Sequence, residues 1–345
     1  MFLKEDAFLK RFIAIILSLT VIASMLAACS NNGSGEKNDE GKINIVTTIF
    51  PIYDWTLNVI GDDENAEVSF LLDNGADLHN YQPTADDMVK ISDCDMFIYV
   101  GGESDKWVDD ALKNALNKDM VVINLLDVLK DRIKEEEIKE GMQSEEEEES
   151  EEGPEYDEHI WLSIKNAEVC VSEIAEKLSS IGKDNNPYIS NAKEYNKKLD
   201  AADKDYTDLL AEAKAENKKR VLVFGDRFPF RYLVDDYGLD YYAAYAGCSA
   251  ESEASFETIS FLANKVDELG LEYVCVIEGS DGELAKTIID NTKTKSAKTV
   301  TFNSMQNVTK NDVENGSDYI SIMKDNYIAL ATALGIQLGG SAETE

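Results

Sequence analysis

The sequence predicts an α/β protein of two lobes, each a mostly parallel sheet flanked by helices, joined by one long rigid backbone helix. Three observations lead there. Strand-like runs alternate with helical patterns from Lys42 to Leu125, the rhythm of βαβ units around a parallel sheet. Ser190 to Lys218 is free of Gly and Pro and rich in Ala, Lys, Asp, Glu and Leu, which predicts one helix of about 40 Å at 1.5 Å per residue. A second alternating run then begins at Arg220.

The N-terminus carries Lys4, Lys10 and Arg11, followed by 17 uncharged residues from Phe12 to Ala28. That run is long for a signal core and short for a membrane span with stop-transfer flanks. It ends in Leu26-Ala27-Ala28-Cys29, which resembles a bacterial lipobox. The resemblance implies a signal peptide over 1–28, a lipidated Cys29 and a flexible Ser/Asn/Gly tether over 29–41. The plainer alternative is an N-terminal membrane helix with an incidental Cys. Two acyl chains on Cys29 give a stable anchor, placing the protein on the outer face of a cell membrane.

A first lobe is expected over 42–185. Lys42 to Thr48, Val68 to Leu72, Met96 to Val100 and Met120 to Leu125 read as strands, and Pro51 to Ile60 and Asp105 to Asn117 as helices. Thr84 to Ser92 reads as a helix with a capping Thr and acidic first turn. The rhythm breaks at 131–158, where 15 acidic residues face three basic ones. Such a block buries little apolar area and predicts a mobile loop, either a solvated insertion or a many-carboxylate collector of cations. Helical pattern resumes at Ile164 to Ile181.

The linking helix is expected within 186–218 and the second lobe over 219–340. There Arg220 to Phe224, Tyr273 to Ile277 and Thr299 to Phe302 read as strands. Phe230 to Tyr237, Phe256 to Leu269, Glu283 to Asn291 and Tyr319 to Leu334 read as helices. A ligand between the lobes fits this architecture.

Composition narrows the partners. A formal net charge of −35 argues against nucleic acid and anionic lipid surfaces. Beyond Cys29 four cysteines remain: Cys94, Cys170, Cys248 and Cys275. None forms a C-x-x-C pair, so buried free thiols are the simple reading, with a disulfide open to an extracellular protein.

The only two histidines stand in telling places. One lies in Gly75-Ala76-Asp77-Leu78-His79-Asn80-Tyr81-Gln82-Pro83-Thr84, between a strand and a helix; the other in Asp157-Glu158-His159-Ile160-Trp161-Leu162-Ser163. Taken singly, either is an ordinary surface or capping residue. Together, the first segment resembles the G-x-D-P-H-x-Y-E-P-T motif, and the second the D-P-H-x-W-L-[DS] motif, of the zinc- and manganese-binding solute-binding proteins of metal ABC transporters. Further landmarks agree: Tyr237-Gly238-Leu239, Glu253-Ala254-Ser255 for the family's E-P-S, and Asp318-Tyr319 through Met323 to Asn326. Zinc-binding members also carry a charged, often His-rich, loop between the two motifs.

The resemblance implies that His79 and His159 are metal ligands. It departs at the third, where the family has His or Glu before Tyr-Gly-Leu and this chain has Arg227, a permanent cation with no lone pair. Neighbouring Asp226 is the candidate, with a helix N-cap or a partner for Arg227 as its alternative role. For the fourth ligand Asp281 is favoured over Glu278, which fits a structural role as well; Glu253 reads as a structural acceptor. Two imidazoles with one or two carboxylates suit zinc and, in the oxygen-rich version, manganese.

The implied function is extracellular capture of Zn2+, with Mn2+ next, and delivery by a lipid-anchored monomer to an ABC permease and its ATPase. The metal is cargo. The rivals are a metal-dependent hydrolase with Glu158 as base and a surface adhesin of the same family. No H-E-x-x-H, G-x-S-x-G or phosphate loop supports an enzyme.

Overall fold

The computed structural model describes residues 41–143, 155–249 and 253–338. Lipobox Cys29 and the runs 1–28 and 29–40 lie outside the described residues. Among the described residues no helix is long and apolar enough to cross a membrane.

The first lobe runs β1 (Ile43–Thr47), α1 (Phe50–Ile60), β2 (Ala66–Phe70), α2 (Ala85–Asp93), β3 (Met96–Tyr99), α3 (Val108–Asn114), β4 (Val121–Asn124), α4 (Leu125–Leu129) and α5 (Ile164–Ile181). Its strands pair in parallel in the order β2-β1-β3-β4. Helices on the faces bury the strands, which is why Met96-Phe97-Ile98 reads as a continuous apolar run and is wholly enclosed. The start of α2 is fixed by reciprocal bonds between Thr84 and Asp87, a capping box.

After α6 (Tyr188–Ala215) the second lobe repeats the scheme with β5 (Val221–Phe228), α7 (Arg231–Tyr237), β6 (Asp240–Ala246), α8 (Phe256–Leu269), β7 (Tyr273–Ile277), α9 (Glu283–Asn291), β8 (Lys298–Phe302), α10 (Lys310–Glu314) and α11 (Tyr319–Leu334). The order is again all-parallel, β6-β5-β7-β8. Both sheets therefore reverse their winding beside the first strand of the set. The loops at the carboxyl ends part there and leave a crevice. The sequence pattern assigned no element to Asp240–Ala246, and the structure makes it the edge strand β6.

The linking helix α6 is 28 residues long and belongs to both lobes. Tyr195 Oη donates to Asp54 Oδ2 on α1 at 2.9 Å, and Tyr206 Oη donates to the Met323 carbonyl on α11 at 2.6 Å. One continuous buried cluster contains residues of α1, α6 and the inner parts of both lobes, and a smaller one fills the outer side of the second sheet. The lobes also meet directly. Lys310 N–H donates to the Asp73 carbonyl at 2.7 Å, and Trp161 Nε1 donates to the Ser304 carbonyl at 2.8 Å.

Asp54 makes a pH test of the contact between α1 and α6. Burial, with the nearby Asp318 charge, pushes its carboxyl from 3.8 up to about 6, against the Tyr195 hydrogen bond. Between those values the folded state holds a proton that the unfolded state has released, so stability falls as pH rises through this window. Asp54→Asn keeps an acceptor for Tyr195 and removes the titration. Chemical unfolding is expected to show that the decline is lost and that the variant gains up to about 3 kcal/mol at pH 7.

The acidic stretch 131–158 is described only at its two ends. Its middle, 144–154, lies outside the described residues, but both flanks are fixed. Glu136 N–H donates to the Glu155 carbonyl at 2.9 Å, and Asp157 N–H to the Lys134 carbonyl at 2.9 Å. The strap then reaches the second lobe: Gln143 N–H donates to the Ala244 carbonyl at 2.9 Å, Lys134 pairs with Asp235 at 2.8 Å, and Arg231 with Glu137 at 2.9 Å. The few basic residues at its margins, and backbone pairing on the open edge of β6, outweigh the repulsion among its carboxylates.

Candidate metal centre

Loops at the carboxyl ends of the strands supply the crevice. After β2, Asp77 caps a single 3-10 turn, Leu78–Asn80, by accepting the His79 N–H at 3.0 Å. The same carboxylate takes an ion pair from Arg227 of β5, and Arg227 also donates to Gln306 Oε1 at 3.3 Å. Burial alone would raise the Asp77 carboxyl, but the Arg227 charge and hydrogen bond hold it below the usual carboxylate range. The residue standing where a third ligand was expected thus orients the loop of the first.

His159 enters from the turn before α5 and is 0% exposed. Asp157 Oδ1 accepts both its backbone N–H at 2.8 Å and its Nδ1 at 2.9 Å. Across the crevice His79 Nδ1 lies 2.8 Å from Ser104 Oγ, and that hydroxyl in turn donates to Glu158. Glu158 also accepts the Ser104 N–H at 2.9 Å and lies 3.5 Å from His79 Nδ1. Burial pushes its carboxyl up, yet these bonds prevail and keep it below its ordinary range.

These partners decide the tautomers. Each Nδ1 faces an acceptor and carries the proton, so in the neutral ring each Nε2 presents a lone pair. The two Nε2 atoms point at one another 3.1 Å apart. Two lone pairs so placed repel unless a cation joins them. Two nitrogens on one tetrahedral zinc stand about 3.3 Å apart for bonds near 2.0 to 2.1 Å, close to the spacing found. A carboxylate or carboxylate-linked hydroxyl behind each ring is how metal-binding histidines are usually oriented.

Sequence reasoning named five candidate donors, and the structure brings two together. His79 and His159 meet, while the acidic three are engaged elsewhere. Asp226 accepts the Arg227 N–H at 2.9 Å and the Ile277 N–H at 3.4 Å, binding β5 to β7. Glu278 accepts the Ser304 N–H and hydroxyl, each at 2.6 Å, and burial pushes its carboxyl up. Asp281 is exposed and accepts the Glu283 N–H at 2.9 Å in the turn just ahead of α9.

The residue that sequence reasoning missed is Cys248, in the loop after β6. Among the described residues the one group of three close donor side chains is His79, His159 and Cys248, whose ligand atoms all lie within 4.8 Å of one another. All four cysteines described are free; Cys94, Cys170 and Cys275 are buried in the body and Cys248 half-buried at the crevice. Burial and the Asp157, Glu136 and Glu158 carboxylates push the Cys248 thiol well above its ordinary range.

Gly247 lets this loop approach. A Cβ there would sit 2.8 Å from the Phe228 carbonyl and 3.0 Å from His159 Cε1, and neither backbone nor buried ring can yield cheaply. Gly247→Ala is therefore expected to weaken metal binding about tenfold without removing any donor, as displaced supporting groups do. Calorimetry on the folded variant checks it; wild-type affinity would separate this loop from the site.

Fold and site together define a class: a two-lobed binding protein with an imidazole-lined crevice between paired parallel sheets. The sequence profile of the family described as zinc-uptake complex component A, periplasmic, matches residues 45–333, and the chain belongs to that family. It is 34% identical over 321 residues to the zinc-binding lipoprotein AdcA of Streptococcus pneumoniae (strain TIGR4), covering 91% of this chain but 60% of that protein's length. It is 30% identical over 328 residues to the high-affinity zinc uptake system protein ZnuA of Bacillus subtilis, covering 92% of this chain and 97% of that one. The crystal structure of the Zn(II)-bound ZnuA-like domain of Streptococcus pneumoniae AdcA aligns with a TM-score of 0.65 at 30% identity, over 85% of this chain and 99% of that chain.

Proposed function

We propose that this protein captures a divalent transition metal outside the cell, zinc first and manganese next, and delivers it to an ABC importer. The observation that carries the reading is the pair of Nε2 atoms 3.1 Å apart, each ring tied to an oxygen at Nδ1. His79 and His159 hold the cargo ion. Membership of a zinc-uptake family and the zinc-binding names of its relatives support the same assignment. Both imidazoles come from one lobe, so a further donor supplied by the other lobe makes metal binding favour the closed pair of lobes. An ABC permease with its ATPase then receives the loaded monomer.

Cys29 is the proposed lipid attachment point, supported by the lipobox-like run and by a relative named as a lipoprotein. The hydrolase reading loses support at Glu158. That carboxylate lies behind the His79 ring, occupied by Ser104, rather than facing the crevice where a water would react.

Protein purified without added metal tests the proposal by elemental analysis, followed by competition between Zn2+ and Mn2+. One divalent ion per chain, with zinc displacing manganese, is the expected result. A chain that retains and takes up neither ion contradicts it.

A further inference from the structure

We infer that Cys248 Sγ is the third protein ligand of the captured ion, making the centre a two-imidazole, one-thiolate site that discriminates zinc from manganese. This rests on the proposed function and specifies the chemistry of the same site.

Three observations carry it. The sulfur lies with the two facing imidazoles in a group of donors all within 4.8 Å of one another. The loop that bears it is built to reach the rings. Gly247 removes the side chain that would strike His159 and the Phe228 carbonyl, and Glu136 Oε1 of the strap accepts the Cys248 N–H at 3.2 Å. The strap is itself fastened to β6 through Gln143 and Ala244. Finally, the other candidates are not grouped with the imidazoles: Asp226 joins β5 to β7, Glu278 holds Ser304, Asp281 accepts an amide ahead of α9, and Arg227 carries no lone pair.

A thiolate in place of an oxygen or nitrogen donor changes preference as well as affinity. Soft sulfur suits zinc, whereas manganese favours carboxylate, carbonyl and water. On binding, the thiol loses its proton to solvent and the sulfur lone pair forms the new bond to the ion. The charge of the thiolate supplies the neutralisation that a carboxylate would otherwise bring.

The test uses the full-length protein under reducing conditions, loaded with Co2+ as a spectroscopic substitute for zinc, and its Cys248→Ser and His79→Ala variants. Wild type is expected to show a thiolate-to-cobalt charge-transfer band in the near ultraviolet together with visible ligand-field bands. Cys248→Ser should lose the charge-transfer band and keep visible bands. Its zinc affinity should fall by about 100-fold, at least what changes behind a ligand cause, while its affinity for Mn2+ changes far less. Wild-type cobalt bands without charge transfer, or unchanged zinc affinity in Cys248→Ser, overturn the thiolate assignment and leave metal capture standing. A wild-type chain that takes up neither cobalt nor zinc overturns both readings. Normal far-UV dichroism of the variants excludes misfolding as the cause of any loss.

Discussion

His159→Ala is expected to lower zinc affinity by about 100-fold or more, the largest single effect on function in this protein. The ring is wholly enclosed and its orientation is over-determined, with Asp157 Oδ1 taking both its Nδ1 and its backbone N–H, and Trp161 packing on it at a ring-centre distance of 5.2 Å. Nothing nearby can substitute for the lost nitrogen, because Asp157 is behind the ring and Glu158 is bound to Ser104. Asp157→Asn keeps the ring in place less firmly and should cost less, roughly tenfold, since it acts through a ligand instead of being one. Calorimetry at fixed pH checks both, and equal affinities for wild type and His159→Ala would remove this imidazole from the site.

Trp161→Ala carries the largest expected cost in stability, about 3 to 5 kcal/mol for emptying a large aromatic site. Its indole is 1% exposed. The Nε1 donates across the lobes to the Ser304 carbonyl at 2.8 Å, and its own carbonyl accepts from Tyr319 Oη at 2.7 Å. Removing the ring opens a cavity beside His159 and leaves Ser304 without its donor. Trp161→Phe refills most of the volume and omits the hydrogen bond, so denaturant unfolding should place it well between wild type and Trp161→Ala. Equal stability of all three chains would show that the lobes do not depend on this contact.

Much of the architecture was legible because it rests on local chemistry. Apolar runs closed by Gly marked β3 and β5, a Thr with acidic neighbours marked the start of α2, and the absence of Gly and Pro marked α6. The two histidines stood out through the motifs around them. The short helices α4 and α10 escaped, and so did β6. Its Asp-Tyr-Tyr-Ala-Ala-Tyr-Ala follows a left-handed Gly238 and has the aromatic content of a strand, but alanines blunt the pattern and the strand is stabilised by pairing with β5, a tertiary effect. Missing that strand hid Cys248, since only the β6 edge carries the loop into the crevice. The signal available was Gly247-Cys248, a small residue followed by a thiol. Counting along the family motif instead led to Asp226, whose carboxylate is drawn to backbone N–H groups at the β5 bulge. At the described ends of the acidic strap, charge density says nothing of the tertiary pairs that tie them down: Lys134 with Asp235, and Glu137 with Arg231.

X-ray absorption at the zinc edge on the zinc-loaded protein reads out whether one divalent ion joins the two imidazoles. Two imidazole rings with nitrogen at about 2.0 to 2.1 Å should give an outer-shell pattern that is halved in His79→Ala. A spectrum without imidazole scattering, or one unchanged by that substitution, would contradict a shared ion.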